Sequence, residues 1–255
     1  SNFVSLTAGG NDTVVGNGDT TVNFSGATLT STTGLGVNVR MAAPGTSFTV
    51  DMTHLSSGTS LRFGTVTLSN IDQIRGTHLN DTLVGGLGDD SLTGGADTDL
   101  ASYAGATGAL TIDLGAGSSA GQHGSDVLRD IENVLGGLGS DSILGNDIAN
   151  ELSGSDGNDT LLGGLGDDSL DGGADRDMVS YANAAGAVIV DLANGRSSGA
   201  DGSDTLANIE AVLGGDFDDS LIGGSAALET LRGGLGNDTL IGGTGQGYLY
   251  AGAGD

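Results

Sequence analysis

The chain is built from a nine-residue repeat that is rich in glycine and aspartate. From residue 136 it reads GGLGSDSIL, GNDIANELS, GSDGNDTLL, GGLGDDSLD and GGADRDMVS in direct succession. The sixth place of each copy holds Asp or Asn, and the eighth place holds Ile, Leu or Val. A period this short and regular predicts a solenoid, in which each repeat buries its apolar residue only by stacking on its neighbours.

A second, longer period contains the first. GGLGDDSLTGGADTDLASYA at 85–104 recurs, with few changes, as GGLGDDSLDGGADRDMVSYA at 163–182. Blocks of nonapeptides therefore alternate with longer segments, which we call excursions. We predict one continuous solenoid over 1–255, with nonapeptide blocks at 7–21, 76–100, 136–178 and 214–254 and excursions at 22–75, 101–135 and 179–213.

Each nonapeptide divides into a turn and a short strand. The Gly, Asn and Asp residues of the first six places tolerate positive φ, as tight turns require. The last three places suit a very short strand with one inward apolar side chain. Alternation in the excursions, as at Val188, Val190 and Leu192, also predicts strands. Because no helical periodicity persists, we predict an all-β fold, a right-handed parallel β-roll or β-solenoid with stacked Gly-Asp turns.

The negative charge of the chain disfavours two classes of binding partner. The sequence has 33 acidic and 7 basic residues, a net charge of −26, which disfavours nucleic acid and anionic lipid as partners. It has no Cys, hence no disulfide and no thiolate metal site. No apolar run approaches the ~18 residues of a membrane-spanning helix, so we expect no membrane insertion. The first residues lack the basic and apolar regions of a signal peptide, and we expect a fragment of a longer protein.

The periodic acids predict a metal. Repeats two apart stack on the same side, so their sixth-place carboxylates lie about one strand spacing, ~4.8 Å, apart and repel each other. A divalent cation between them removes this repulsion. Carboxylates and turn carbonyls form an oxygen cage that suits Ca²⁺ better than Mg²⁺, whereas Zn²⁺ prefers His and Cys. The alternative is a metal-free solenoid in which the same residues only shape the bends.

The pattern GGxGxDxUx, where U is a bulky apolar residue, resembles the RTX, or haemolysin-type, calcium-binding nonapeptide. The resemblance implies a parallel β-roll, several bound Ca²⁺ ions, calcium-driven folding outside the cell and type I secretion. By this resemblance the side-chain ligands are the sixth-place residues Asp81, Asp90, Asp99, Asp141, Asn150, Asp159, Asp168, Asp177, Asp219 and Asp238. Turn carbonyls complete the sites, such as those of Gly136, Leu138, Gly154, Asp156, Gly163, Leu165, Gly172 and Ala174.

The ligands are expected to act in stacked pairs. The best-supported pairs are Asp141 with Asp159, Asp159 with Asp177, Asp81 with Asp99, and Asp219 with Asp238. Asp168 faces the neutral Asn150, which predicts a weaker site. Asp90 has no sixth-place residue eighteen positions further on, and we recognise no ligand motif in the excursions.

The motifs of common enzymes, such as HExxH and GxSxG, are absent, and we expect no enzymatic activity. We expect a non-enzymatic, calcium-binding structural module of a large secreted protein at the bacterial cell surface, an adhesin or S-layer protein, with neighbouring copies or domains as partners. The alternative is the C-terminal calcium-dependent folding and secretion module of a secreted enzyme or toxin. A third hypothesis is a carbohydrate-binding module. The matched Tyr103 and Tyr181 are either packing residues or a sugar-stacking platform.

Overall fold

A computed structural model describes residues 80–226 and 228–254, together with seven short strands before residue 76. Among the described residues every regular element is a strand, and no helix capable of spanning a membrane is found. The first thirteen strands are β1 Asn2–Val4, β2 Thr13–Gly16, β3 Thr20–Asn23, β4 Asn38–Met41, β5 Phe48–Asp51, β6 Val66–Ser69, β7 Gln73–Arg75, β8 Thr82–Val84, β9 Ser91–Thr93, β10 Leu100–Ser102, β11 Leu110–Asp113, β12 Ser118–Gly121 and β13 Gly124–Arg129. The others are β14 Asn133–Leu135, β15 Ser142–Leu144, β16 Glu151–Asp156, β17 Thr160–Leu162, β18 Ser169–Ala174, β19 Met178–Ser180, β20 Val188–Asp191, β21 Arg196–Gly199, β22 Thr205–Ala207, β23 Ala211–Leu213, β24 Ser220–Ile222, β25 Leu228–Leu235, β26 Thr239–Ile241 and β27 Gln246–Ala253.

The chain divides into two compact units. The first comprises Ser1–Gly105 and Gly117–Asn133, and the second comprises Ala106–Ala116 and Val134–Asp255. In the first unit, successive strands alternate between two parallel rows, one of β1, β3, β5, β7 and β9 and one of β2, β4, β6, β8 and β10. Strand β13 continues the first row parallel to β9, and β12 pairs antiparallel with β13.

The second unit repeats this plan. One row runs parallel through β11, β15, β17, β19, β23, β25 and β27. The other row contains β16, β18 and β22, then passes antiparallel through β21 to β20, and resumes parallel pairing with β24 and β26. The excursion at 179–213 therefore inserts a three-stranded antiparallel meander into an otherwise parallel row.

The apolar core consists of the eighth-place residues and their counterparts in the excursions. The strand register of the first row of the second unit places these side chains in one line, and all are completely buried: Ile143, Leu161, Val179, Val212 and Leu231. In β20 the predicted alternation is confirmed, because Val188 and Val190 are buried and Ile189 is 52% exposed. The predicted all-β architecture with parallel, stacked strands is confirmed.

Candidate calcium-binding turns

Sixth-place residues that are eighteen positions apart lie one above the other and are joined by a repeated hydrogen bond. The N–H of Asp141 donates to Oδ1 of Asp159 at 2.7 Å, and the N–H of Asp159 donates to Oδ1 of Asp177 at 2.8 Å. The same bond joins Asp81 to Asp99, Asn150 to Asp168, and, nineteen positions apart, Asp219 to Asp238. The structure thus brings together every stacked pair that was predicted from the sequence, and we call each such stack an acid row.

The excursions, in which no ligand motif was recognised from the sequence, also contribute acids to these rows. Oδ1 of Asp126 accepts the N–H of Asp90 at 2.9 Å, and Oδ1 of Asp204 accepts the N–H of Asp168 at 3.1 Å, in both cases 36 residues further on. Asp90, which has no sixth-place residue eighteen positions on, is stacked on an excursion residue instead. The sequence carries a signal for this, because GSDVL at 124–128 and GSDTL at 202–206 repeat the GxDxU ending of a nonapeptide.

Two glutamates of the excursions also extend the acid rows. Oε2 of Glu132 accepts the N–H of Asp99 at 2.8 Å, and Oε2 of Glu210 accepts the N–H of Asp177 at 3.0 Å. Each glutamate stands two positions before a buried valine, just as a sixth-place Asp stands before its eighth-place residue. A search for aspartate alone misses them.

In many of these turns one carboxylate oxygen has no hydrogen bond. It is the Oδ2 atom, enclosed by protein and without a donor, of Asp99, Asp159, Asp168, Asp177 and Asp238. Burying a carboxylate oxygen without a hydrogen bond costs roughly several kcal/mol of free energy unless a proton or a cation neutralises the charge. These oxygens are therefore the atoms at which the turns require a positive partner.

The electrostatics of the rows favour the same conclusion. Burial, with a further contribution from neighbouring carboxylates, raises the pKa of Asp99 and of Asp177 to about 7. The same causes raise the pKa of Asp159 and of Asp168 to about 6. Without a cation, burial and nearby like charge thus favour the protonated form of these four acids more than in an exposed carboxyl group.

The space beside the first-place glycine of a turn is the place where a cation would bind. A Cβ atom on Gly154 would lie 2.1 Å from Oδ2 of Asp159 and 2.6 Å from the carbonyl oxygen of Gly172. On Gly233 it would lie 2.0 Å from Oδ2 of Asp238 and 2.5 Å from the carbonyl oxygen of Ala251. The carboxylate of one turn and a carbonyl of the next coil therefore border the same small space, which only glycine leaves open.

The other main-chain carbonyls that were expected as ligands fall into two groups, according to whether they border the space beside a first-place glycine. The carbonyl oxygens of Gly154 and Gly163 border the equivalent spaces beside Gly136 and Gly145, at 2.5 and 2.0 Å from a Cβ placed there. The third-place residues have exposed side chains at the outside of their turns, and their carbonyls as ligands stay a prediction: Leu138, Asp156, Leu165 and Ala174.

The turns of the second unit adopt two conformations. In the first, the residues at the second and fourth places have left-handed φ, for example 82° at Ser155 and 116° at Gly157. The turns of this kind are 154–159, 163–168, 172–177 and 233–238, and they are also those in which Oδ2 of the sixth-place Asp is unpartnered.

The second conformation satisfies its own carboxylate. In turn 136–141 the N–H of Gly137 donates to Oδ2 of Asp141 at 2.8 Å, and in turn 214–219 the N–H of Gly215 donates to Oδ2 of Asp219 at 2.7 Å. The amide oxygen of Asn150 accepts a bond from its own turn in the same way. Each of these turns comes first in its stack, so a self-capped turn begins a stack and the turns that follow it leave an oxygen open.

Tyr103 and Tyr181 do not form a sugar-stacking surface. Tyr103 and Tyr181 are only 3% and 4% exposed, which contradicts their use as a carbohydrate platform. The hydroxyl of Tyr181 donates to Oδ2 of Asp204 at 2.8 Å, and that oxygen also accepts the hydroxyl of Ser197 at 2.7 Å. Tyr103 bonds to Asp126 in the same way in the first unit. Here two hydroxyl donors satisfy the carboxylate without a cation.

The donor set of the acid rows fits Ca²⁺. The available atoms are carboxylate and carbonyl oxygens, and the chain has no thiol. Over the described residues, no three His, Asp or Glu side chains converge as a metal cluster, so a bound ion would take two carboxylates and main-chain carbonyls. Hard oxygen ligands of mixed origin are those that Ca²⁺ accepts, with 6–8 per ion.

Comparison with known proteins agrees with this chemistry. A search of curated proteins finds no match to the chain. The family model of the RTX calcium-binding nonapeptide repeat (4 copies) matches residues 70–101, 144–179 and 228–255. These segments include most of the stacked nonapeptide acids and the unpartnered oxygens of both units. Three segments of the chain therefore match the RTX calcium-binding nonapeptide repeat.

Proposed function

We propose that the chain is a non-enzymatic calcium-binding structural module of a large, type I-secreted extracellular or cell-surface protein, of the adhesin or S-layer kind. The observation that carries this proposal is the set of enclosed Oδ2 atoms that lack any hydrogen-bond donor. RTX repeats bind calcium, and their family is associated with secreted bacterial proteins.

The ions are held between stacked turns. Their side-chain ligands are the sixth-place pairs, such as Asp141 with Asp159 and Asp159 with Asp177, together with first-place carbonyls such as that of Gly172. When bound, Ca²⁺ supplies the positive charge that the turns lack. The chain's own contribution is to enclose the carboxylates and to hold one oxygen of each by a main-chain N–H; in the turns that are not self-capped, the other oxygen is presented to the site.

Binding and folding form one equilibrium. The chain carries a net charge of −26, so its compact state is self-repelling until cations bind. Extracellular calcium modules have dissociation constants of about 10⁻⁴–10⁻³ M, far above cytosolic calcium. The chain is then unfolded and export-competent inside the cell and folded outside it, because only the folded state offers the sites.

The repetition of the design favours a scaffold. Over the described residues, the tyrosine–aspartate contact occurs once in each unit, and so does a glutamate that accepts the N–H of the last nonapeptide Asp before an excursion. Tandem units of this kind supply length and regularity, which a surface protein uses. A catalytic domain in the same parent protein would instead assign the chain to the folding and secretion module of an enzyme or toxin.

The test is a calcium titration of the chain, from a chelated start, followed by far-UV circular dichroism with Mg²⁺ as the control. We expect a cooperative change from coil to β with a midpoint of about 10⁻⁴–10⁻³ M Ca²⁺ and none with Mg²⁺. A β spectrum that is indifferent to chelator, or equal responses to both ions, would contradict the proposal.

A further inference from the structure

Two contacts made with the excursion glutamates match those of a sixth-place aspartate, although the glutamates' own N–H groups donate to the carbonyls of Asp99 and Asp177. In the nonapeptide stack, the carbonyl of Asp159 accepts the N–H of Met178, while the N–H of Asp159 donates to Asp177. At the excursion, the carbonyl of Asp177 accepts the N–H of Ala211, while its N–H donates to Glu210. Glu210 therefore holds the position in the row that the next Asp would hold, although the family match ends at residue 179.

A carbonyl also stands where the nonapeptide stack places one. A Cβ atom on Gly172 would lie 2.2 Å from the carbonyl oxygen of Asn208 and 2.6 Å from Cγ of Asp177. Asn208 has a left-handed φ of 52°, which turns the chain at this point. The space beside Gly172 is thus bordered by a carboxylate and a carbonyl, as the space beside Gly154 is.

The first unit contains the same arrangement independently. A Cβ on Gly94 would lie 2.1 Å from the carbonyl oxygen of Asp130 and 2.4 Å from Oδ2 of Asp99. Asp130 has a φ of 51°, and Glu132 accepts the N–H of Asp99. Two copies that are distant in sequence therefore reproduce one geometry.

The decisive atoms are the second oxygens of the two aspartates. Asp99 and Asp177 are completely buried, and Oδ2 of each has no hydrogen-bond partner. The aspartates of the excursions behave differently, because Oδ2 of Asp204 already receives the hydroxyl groups of Tyr181 and Ser197. A positive partner is therefore needed at Oδ2 of Asp99 and of Asp177, and not at Oδ2 of Asp204.

We propose that Ca²⁺ also binds where a nonapeptide turn meets an excursion: between Asp99, Glu132 and the carbonyl of Asp130, and between Asp177, Glu210 and the carbonyl of Asn208. These sites lie outside the repeat pattern, since one of their two carboxylates comes from an irregular segment. The inference rests on the proposed function, because it requires that the nonapeptide turns bind calcium.

Like charge at these sites supports the assignment. After burial, which is the main cause, the carboxylates of Asp81 and Glu132 contribute to the raised pKa of Asp99. Those of Asp159 and Glu210 act on Asp177 in the same way. Repulsion between two buried acids is the condition that a shared cation relieves.

The test counts bound calcium ions by native mass spectrometry and isothermal titration calorimetry in the whole chain. The variants are Glu132→Gln, Glu210→Gln and the double substitution, with Glu151→Gln on the exposed side of β16 as the matched control. Glutamine keeps an oxygen that accepts the N–H of Asp99 or Asp177 and removes only the charge. Circular dichroism in saturating calcium checks that each variant is folded before the ions are counted.

We expect each single variant to lose one ion, the double variant to lose two, and the control to lose none. An unchanged count in a folded, calcium-loaded variant overturns the inference and leaves the proposed function intact, because the glutamates then only cap an N–H group. A wild-type chain that binds no calcium refutes both. If one glutamine variant does not fold, the count in the other copy decides.

Discussion

Replacement of Asp159 by asparagine separates a structural role of this residue from a calcium-binding role. Asp159 is 1% exposed, its Oδ1 accepts the N–H of Asp141, and its Oδ2 is unpartnered. Asparagine retains the shape and the accepting oxygen. Its amide nitrogen would face the carbonyl of Gly172, which borders the same space, so the substitution supplies a donor where the aspartate has none.

The expected effect changes sign with calcium. Asp159 stands in two stacked pairs, with Asp141 and with Asp177. A site that is filled at a free concentration of 100 times its dissociation constant stabilises the fold by about 2.7 kcal/mol, a condition met near 10 mM Ca²⁺ for a constant of about 10⁻⁴ M. Loss of both sites would therefore cost about 5 kcal/mol in calcium. In chelator the same change removes one buried, like-charged group and should be neutral or stabilising.

The assay is urea denaturation near pH 7.5 in about 10 mM Ca²⁺ and in chelator, with an osmolyte such as TMAO added to the chelated samples to favour the compact state. Asp147→Asn, at an exposed turn position, is the control for removal of one charge. A loss of stability that is equal in calcium and in chelator would refute the reasoning, since Asp159 would then act only through its hydrogen bond.

Three further outcomes follow from the same geometry. Tyr181→Phe should destabilise the fold by about 1–3 kcal/mol in calcium and chelator alike, measured by the same denaturation, because Asp204 loses a buried donor that no cation replaces. Gly154→Ala should prevent calcium-dependent folding in the circular dichroism titration, since its Cβ would lie 2.1 Å from Oδ2 of Asp159, whereas Gly242→Ala, whose nearest contact is at 3.8 Å, should fold normally. In chelator, the free energy of unfolding should rise as the pH falls from about 7 towards 4. The pKa values of Asp99 and Asp177 are raised in the fold, so folding takes up protons over this range. A urea midpoint that falls as the pH is lowered would show that burial does not raise these pKa values.

The stacking of the nonapeptides was predictable because their spacing leaves one arrangement. Gly at the first place, an acid at the sixth and an apolar residue at the eighth recur every nine positions, and the structure stacks Ile143 on Leu161 in the predicted register. The pairing of Asp141 with Asp159 follows directly from that register.

The contribution of the excursions was not predictable from spacing. Asp204 and Glu210 reach the rows at offsets of 36 and 33 residues, which depend on the path of a three-stranded meander in space. Their short local signals, GxDxU and Glu-x-Val, are too common to be read as ligands without the fold.

The two turn conformations could not be predicted from the sequence, for a different reason. The sequence GGLG occurs at 136–139 and at 163–166, yet only the second copy has left-handed φ, at Gly164 and Gly166. The local sequence is the same, so the difference arises from the neighbouring coil. The first turn of a stack meets an excursion strand, as where the N–H of Leu110 donates to Asp141, and a later turn meets another nonapeptide.

The enclosed, unpartnered Oδ2 atoms are the cation ligands that we propose. The most direct measurement is a crystal structure of the chain grown in calcium, with anomalous differences collected at a long wavelength where calcium scatters strongly. We predict an anomalous peak beside Oδ2 of Asp159, Asp168, Asp177, Asp99 and Asp238. Ordered carboxylates at these positions with no peak beside them, or with protein donors in its place, would contradict it.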